Sequence, residues 1–248
     1  MSGHSHWATI KRKKGAADQK RGAMFSKLAK AISLAARTGG GDPDTNIQLK
    51  YAIDKAKQSL MPRDNIDRAI KKGTGELTDS AALETVKYEA IGPGGVFILV
   101  DCLTDNRNRT ASEVRKILEL RNARLGSVAW AFEPKGMITL PAEGVNEDQL
   151  TELVLEAGAE DLQRSGNVFQ VTTAPGDLEA VRRALAEKGV KIESGELTQL
   201  AKTPQPVEAD VARKLVDLMG ELEDHEDVQS VFSNMELSEA VMAEMSRN

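Results

Sequence analysis

Apolar residues in the first third of the chain recur at helical spacing. Between residues 20 and 37, Phe25, Leu28, Ala29, Ile32 and Ala36 share one side of the helical wheel. Lys20, Lys27, Lys30 and Arg37 share the other, which predicts an amphipathic helix with a basic outer face. Leu34 interrupts that face and implies an element packed partly over it. After the loop at 39–44, Leu49, Ala52, Ile53, Ala56 and Leu60 predict a second helix, with Asp44 or Thr45 as N-cap. Pro62 opens a third, which turns Ile66, Ala69 and Ile70 inward, carries Arg68, Lys71 and Lys72 toward its end and stops at Gly73.

The period changes after Leu77. Residues 88–91 and 96–103 read as strands around Gly92, Pro93, Gly94 and Gly95. They are followed by the run DNRNRT and by a helix on which Thr110 and Glu113 have capping-box spacing, with Ala111, Val114, Ile117 and Leu118 as its inner face. Residues 127–132 read as the next strand. From Met137 the order is strand, helix (Leu150, Leu153, Val154, Ala157), two strands across Ser165, Gly166 and Asn167, helix (Leu178, Val181, Leu185), and a strand at 190–200. That is βαββαβ, the split ferredoxin-like plan. Beyond a linker at 204–206, a helix with Val211, Leu215, Leu218 and Leu222 precedes a strand near 228–233. A helix and one strand cannot bury themselves, so 207–248 are expected to complete the sheet begun at 86–133. The expected class is α+β multidomain: a basic helical domain at 1–76, a discontinuous α/β domain at 77–134 plus 204–248, and a ferredoxin-like α/β domain at 135–203 inserted into it.

At 248 residues the chain allows two or three domains. No apolar run approaches the ~20 residues of a membrane span, and Lys27 and Lys30 interrupt the first apolar stretch, so no signal-peptide core is read and the expected location is the cytoplasm. One cysteine, Cys102, and three histidines leave neither an internal disulfide nor a structural zinc site to expect. The net charge of −5 conceals an asymmetry. Residues 1–75 hold 16 Lys+Arg against 6 Asp+Glu, or +10, and the remaining 173 residues hold 17 against 32, or −15. A +10 segment reads either as a footprint for nucleic acid or as a dock for the acidic part of the same chain.

The first reading gains from the arm Lys11, Arg12, Lys13 and Lys14, which lies beside Trp7 and continues through Lys20, Arg21, Lys27 and Lys30. Aromatic residues are few in the segment, so backbone contact and shape outweigh base stacking. Arg107 and Arg109, just before a predicted helix N-terminus, are a second place able to hold an anion, or else exposed arginines beside a capping residue. The glycines at 92, 94 and 95 lead into a strand rather than a helix, so they fit a strand connection and neither a P-loop nor a dinucleotide fingerprint. No acid, base or nucleophile has an assignable partner: Cys102 lies in an apolar strand and His225 in an acidic run. No catalytic residue, cofactor or metal site is assigned, although Ser2-Gly3-His4 would offer a square-planar donor set if Met1 were removed.

Taken in order, GHSHWATIKRKK, KRGAMFSKL, GGGDPDTN, MPRDNIDRAIKKG, YEAIGPGG, DNRNRTASEVR, GSVAWAF and DVQSVFSN resemble the YebC/PmpR family, whose mitochondrial relatives include the translational activator of cytochrome c oxidase subunit I. The resemblance covers nearly the whole chain and implies three domains, helical domain first. It also implies a regulator of gene expression acting through DNA, with ribosome- or RNA-directed translation control as the close competitor. The expected partner is therefore DNA or ribosomal RNA, with the ribosome behind the latter and no membrane. An enzyme with a site between the α/β domains and a protein-binding adaptor are the alternatives from other classes.

Overall fold

A computed structural model describes residues 18–77 and 83–246. Helix α1 (Asp18–Gly39) begins close to where its apolar spacing begins, and α2 (Ile47–Gln58) and α3 (Arg63–Gly73) follow after short loops. Their apolar sides meet in one core of Leu28, Ile32, Ala36, Leu49, Ile53, Ala56, Met61, Ile66 and Ala69. The N-cap of α2 is Asn46 rather than Asp44 or Thr45. Its Oδ1 accepts from the Leu49 N–H at 3.1 Å, and its Nδ2 donates to the Ala35 and Gly40 carbonyls at 2.8 Å each. One buried amide thus starts α2 and ties it to the end of α1, which neither a carboxylate, having no N–H to donate, nor a single threonine hydroxyl can do. Near that same end of α1, a Cβ added to Gly73 would lie 2.3 Å from the Ser33 carbonyl oxygen, so the absent side chain sets how closely α1 and α3 approach.

Strand β1 (Glu84–Ile91) pairs antiparallel with β2 (Phe97–Thr104), from Glu84↔Thr104 to Ile91↔Phe97. It starts four residues earlier than its apolar run suggests, because the polar Glu84, Thr85 and Lys87 are held in register by the buried neighbouring strand. The connection is a tight turn at Pro93–Gly95 with Gly94 at φ 69° and Gly95 at φ 74°. Helix α4 (Arg107–Leu120) is capped by Asn106, whose side chain accepts from the Arg109 N–H at 3.1 Å. The Thr110/Glu113 spacing is therefore not a cap, and Thr110 lies buried in the first turn. Only two residues of β3 (Arg124–Leu125) pair with β1, and the strand expected at 127–132 is instead a helical turn at Ala129–Ala131 leading into β4 (Phe132–Pro141).

From β4 the chain runs α5 (Glu147–Glu156), β5 (Asp161–Ser165), β6 (Val168–Thr173), α6 (Leu178–Glu187) and β7 (Ser194–Ala201). The sheet order β5-β6-β4-β7, antiparallel throughout, is the ferredoxin-like arrangement. Its core holds Ile138, Leu140, Val154, Phe169, Val171, Val181 and Leu185. The chain enters and leaves this sheet at one place, since Phe132 pairs with Ala201. Short β8 (Gln205–Pro206) then leads to α7 (Ala209–Asp224), which packs on α4 through a buried side including Leu215, Leu218 and Leu222. Strand β9 (Val228–Ser233) extends the first sheet to the order β3-β1-β2-β9, and β10 (Met235–Glu236) pairs with β8 before the final helix α8 (Glu239–Ser246). The described chain divides into two units, 18–128 with 209–231, and 129–208 with 232–246.

Candidate functional site

Within the first unit a cluster of charged side chains gathers at Asp227, in the turn between α7 and β9. Its side chain is fully buried. Burial by itself raises a carboxyl pKa, yet hydrogen bonds from Lys30, Arg109 and Thr110 outweigh it and hold Asp227 well below the ordinary carboxylate range. Lys30 Nζ donates to Oδ1 at 2.6 Å, while an Arg109 guanidinium nitrogen and Thr110 Oγ1 donate to Oδ2, each at 2.8 Å. Thr104 Oγ1 lies 3.1 Å from Oδ2 and accepts from the Asn106 N–H at 2.9 Å. The Asp227 carbonyl accepts from the Leu103 N–H at 2.8 Å, which fixes the residue from behind. One carboxylate therefore joins α1, β2 and α4.

Lys30 and Arg109 both point at Asp227, so the anion held beside DNRNRT is the protein's own carboxylate. Arg109 also faces Asp105 at 3.1 Å and Glu226 at 3.6 Å. Lys27 donates to the Glu223 carbonyl at the end of α7. Arg107 is exposed at the first position of α4. Lys20 and Arg21 stand in the first turn of α1. Trp7, Lys11, Arg12, Lys13, Lys14 and the Ser2-Gly3-His4 sequence lie outside the described residues.

Sequence reasoning missed Asp227, which looks like the last member of a solvated acidic run. Its only signal is position, directly before the apolar residues of β9. It also missed the surroundings of His225. Nδ1 of that ring accepts from the Asp227 N–H at 3.1 Å and Nε2 faces Glu113 Oε2 at 2.9 Å, so both nitrogens are engaged in holding the turn. Cys102 is buried in β2, and burial, with Asp227 and Asp101 adding repulsion, pushes its thiol up to about 12. A thiol so protonated is a poor nucleophile. Among the described residues no group of three or more His, Cys, Asp or Glu is placed to hold a metal ion. No helix among them is long and apolar enough to cross a membrane.

Within the helical domain, exposed cations lie on α2 and α3. Lys50, Lys57, Arg68, Lys71 and Lys72 are exposed. Arg68 and Lys72 border a cleft of about 650 Å³ between α1 and α3, whose other walls include Phe25, Lys30, Met61 and Asn65. A cationic helical face beside a sheet domain stapled by a buried carboxylate defines, at the level of class, an α+β multidomain protein with an exposed cationic helical surface.

The comparisons make the family specific. Residues 5–76 match the model described as the TACO1/YebC protein N-terminal domain, and residues 83–235 match the TACO1/YebC second and third domain. The chain belongs to the TACO1/YebC family. It is 49% identical over 248 residues to a probable transcriptional regulatory protein of Rubrobacter xylanophilus, covering 99% of each chain. It is 51% identical over 246 residues to one from Chlorobium phaeobacteroides, covering 98% of each. It also resembles the crystal structure of a conserved hypothetical protein from Aquifex aeolicus, with a TM-score of 0.84 and 43% identity over 94% of this chain and 98% of that one.

Proposed function

We propose that this chain is a non-enzymatic, nucleic-acid-binding regulator of gene expression that works in the cytoplasm and meets the phosphate backbone with its helical domain. The observation that carries the reading is the set of exposed cations on α2 and α3, of which Arg68, Lys71 and Lys72 form no ion pair among the described residues. The names of the relatives, probable transcriptional regulatory proteins, support the regulatory part. In this reading Lys11, Arg12, Lys13, Lys14, Lys20 and Arg21 contribute further positive charge, Trp7 a stacking group, and Arg107, exposed on α4, another cation. Lys27, Lys30 and Arg109 add to its potential with part of their hydrogen bonding already directed to Glu223 and Asp227.

Between DNA and RNA, the exposed side of α3 favours RNA, including ribosomal RNA. It mixes Arg63, Arg68, Lys71 and Lys72 with Asp64 and Asp67, and the Arg63–Asp67 pair stands at 3.8 Å. A helix laid full length in a major groove meets phosphates on both flanks, and two carboxylates in its first turns oppose that. The relatives' name favours promoter DNA. Sequencing the nucleic acid crosslinked to the protein in cells tests the choice: ribosomal RNA fragments support translation control, promoter fragments support transcription control, and no enrichment of either overturns the proposal.

A further inference from the structure

The cleft between α1 and α3 has more chemistry than backbone contact needs. Asn65, Arg68 and Lys72 recur at three- and four-residue spacing along one side of α3 and turn two cations and an amide toward it. Lys30 supplies a third cation from α1, oriented by its bond to Asp227. Between them lie the half-buried ring of Phe25 and the thioether of Met61. At about 650 Å³ the space falls inside the roughly 300–1,000 Å³ range of small-molecule sites. Three cations against the single carboxylate of Asp105, itself paired with Arg109 at 3.1 Å, together with an amide, an aromatic ring and a thioether, suit an anion attached to a flat, partly apolar ring.

We infer that this cleft seats one unpaired nucleotide of a single-stranded nucleic acid, with its phosphate between Arg68 and Lys72 and its base against Phe25 and Met61. The inference rests on the nucleic-acid reading above and sharpens it, because a base paired in a duplex cannot enter a cleft between two helices without leaving its partner. Lys30 keeps Asp227 as its anchor and presents its charge to the phosphate from the inner side. The shared chemistry, a nucleoside phosphate, also describes a free nucleotide, and the strand is favoured because α3 also exposes Lys71 outside the cleft lining, which a mononucleotide in the cleft would not need.

The test measures binding of a fluorescent twelve-residue single strand, oligouridylate, and of a duplex of equal length to the full chain, with a parallel series in which the strand carries 4-thiouridine. In the Arg68→Glu/Lys72→Glu variant, affinity for the single strand should fall at least tenfold and its log K–log salt slope should shrink by about 0.7 per phosphate lost. Duplex affinity should also fall, because both residues belong to the same cationic surface, but by at least threefold less than single-strand affinity. Irradiation should crosslink 4-thiouridine to peptides containing Phe25 or Met61, and Phe25→Leu, which keeps the apolar lining, should reduce that yield. Equal loss for strand and duplex, or no loss for either, overturns the nucleotide seat while leaving the wider reading intact if the parent still binds. Displacement of the strand by micromolar uridine monophosphate overturns the strand in favour of a free nucleotide. A parent chain that binds neither probe overturns both readings.

Discussion

Replacing Asp227 by asparagine keeps the shape of the side chain and removes its charge. Lys30 and Arg109 then lose their shared counter-charge, Thr110 keeps at best a neutral acceptor, and the Asn amide places two donors among groups that already donate. Removing one partner of a fully buried pair costs about 3–5 kcal/mol. Here the Asp227 side chain is fully buried but Lys30 and Arg109 are 21% and 36% exposed, and water reaching them relieves part of the penalty. We therefore expect about 3 kcal/mol, toward the lower end of that range. For a unit of this size that corresponds to a fall in Tm of roughly 6–12 °C. Because Asp227 titrates below its ordinary value of 3.8, its contribution is fully present above that value and is lost as pH falls toward its depressed folded pKa. Scanning calorimetry of both proteins should give a constant gap at neutral and mildly acidic pH, closing below about pH 4. A gap under about 2 °C at neutral pH, or one that widens in acid, would refute the assigned role.

Thr110→Val should cost about 1.5–2 kcal/mol in urea unfolding, since it deletes a hydrogen bond to a charged acceptor without changing volume. Gly73→Ala should lower Tm despite a better helix propensity worth about 1 kcal/mol, because its Cβ would sit 2.3 Å from the Ser33 carbonyl oxygen and 2.7 Å from the Ala36 Cβ. Cys102 should resist iodoacetamide in the native protein and react once denatured, its thiol being buried and pushed up to about 12. Replacing Lys11, Arg12, Lys13 and Lys14 with glutamate should leave the circular dichroism spectrum unchanged, weaken binding on every nucleic-acid sequence alike and flatten the salt dependence; undiminished affinity would remove the arm from the surface. A fragment of residues 130–203 should melt cooperatively by itself, since it holds all four strands of its sheet and both helices that follow β4 and β6.

The helices of the first domain were legible because their stabilisation comes from a continuous apolar stripe, which periodicity reports directly: Leu28, Ile32 and Ala36 fall where the spacing puts them. The βαββαβ order was legible for the same reason. Caps were not, because which polar side chain caps a helix depends on where it points. Asn46 serves α2 because the Ala35 and Gly40 carbonyls are within its reach, and Thr110 is drawn inward by a carboxylate 117 residues away. Asp227 was invisible on the same account, its partners Lys30 and Arg109 lying 197 and 118 positions earlier. The family resemblance supplied what spacing could not, the membership that the matches over residues 5–76 and 83–235 show.

The separation of Lys30 from Asp227 also has a consequence in time. A ribosome adding about 5–20 residues per second exposes the basic helices roughly 10–40 s before it makes the carboxylate that will anchor them. During that interval the first unit can collapse around its own core but lacks α7 and β9, so a protease or a holdase meets an unlatched intermediate, and a chain terminated before residue 227 stays one.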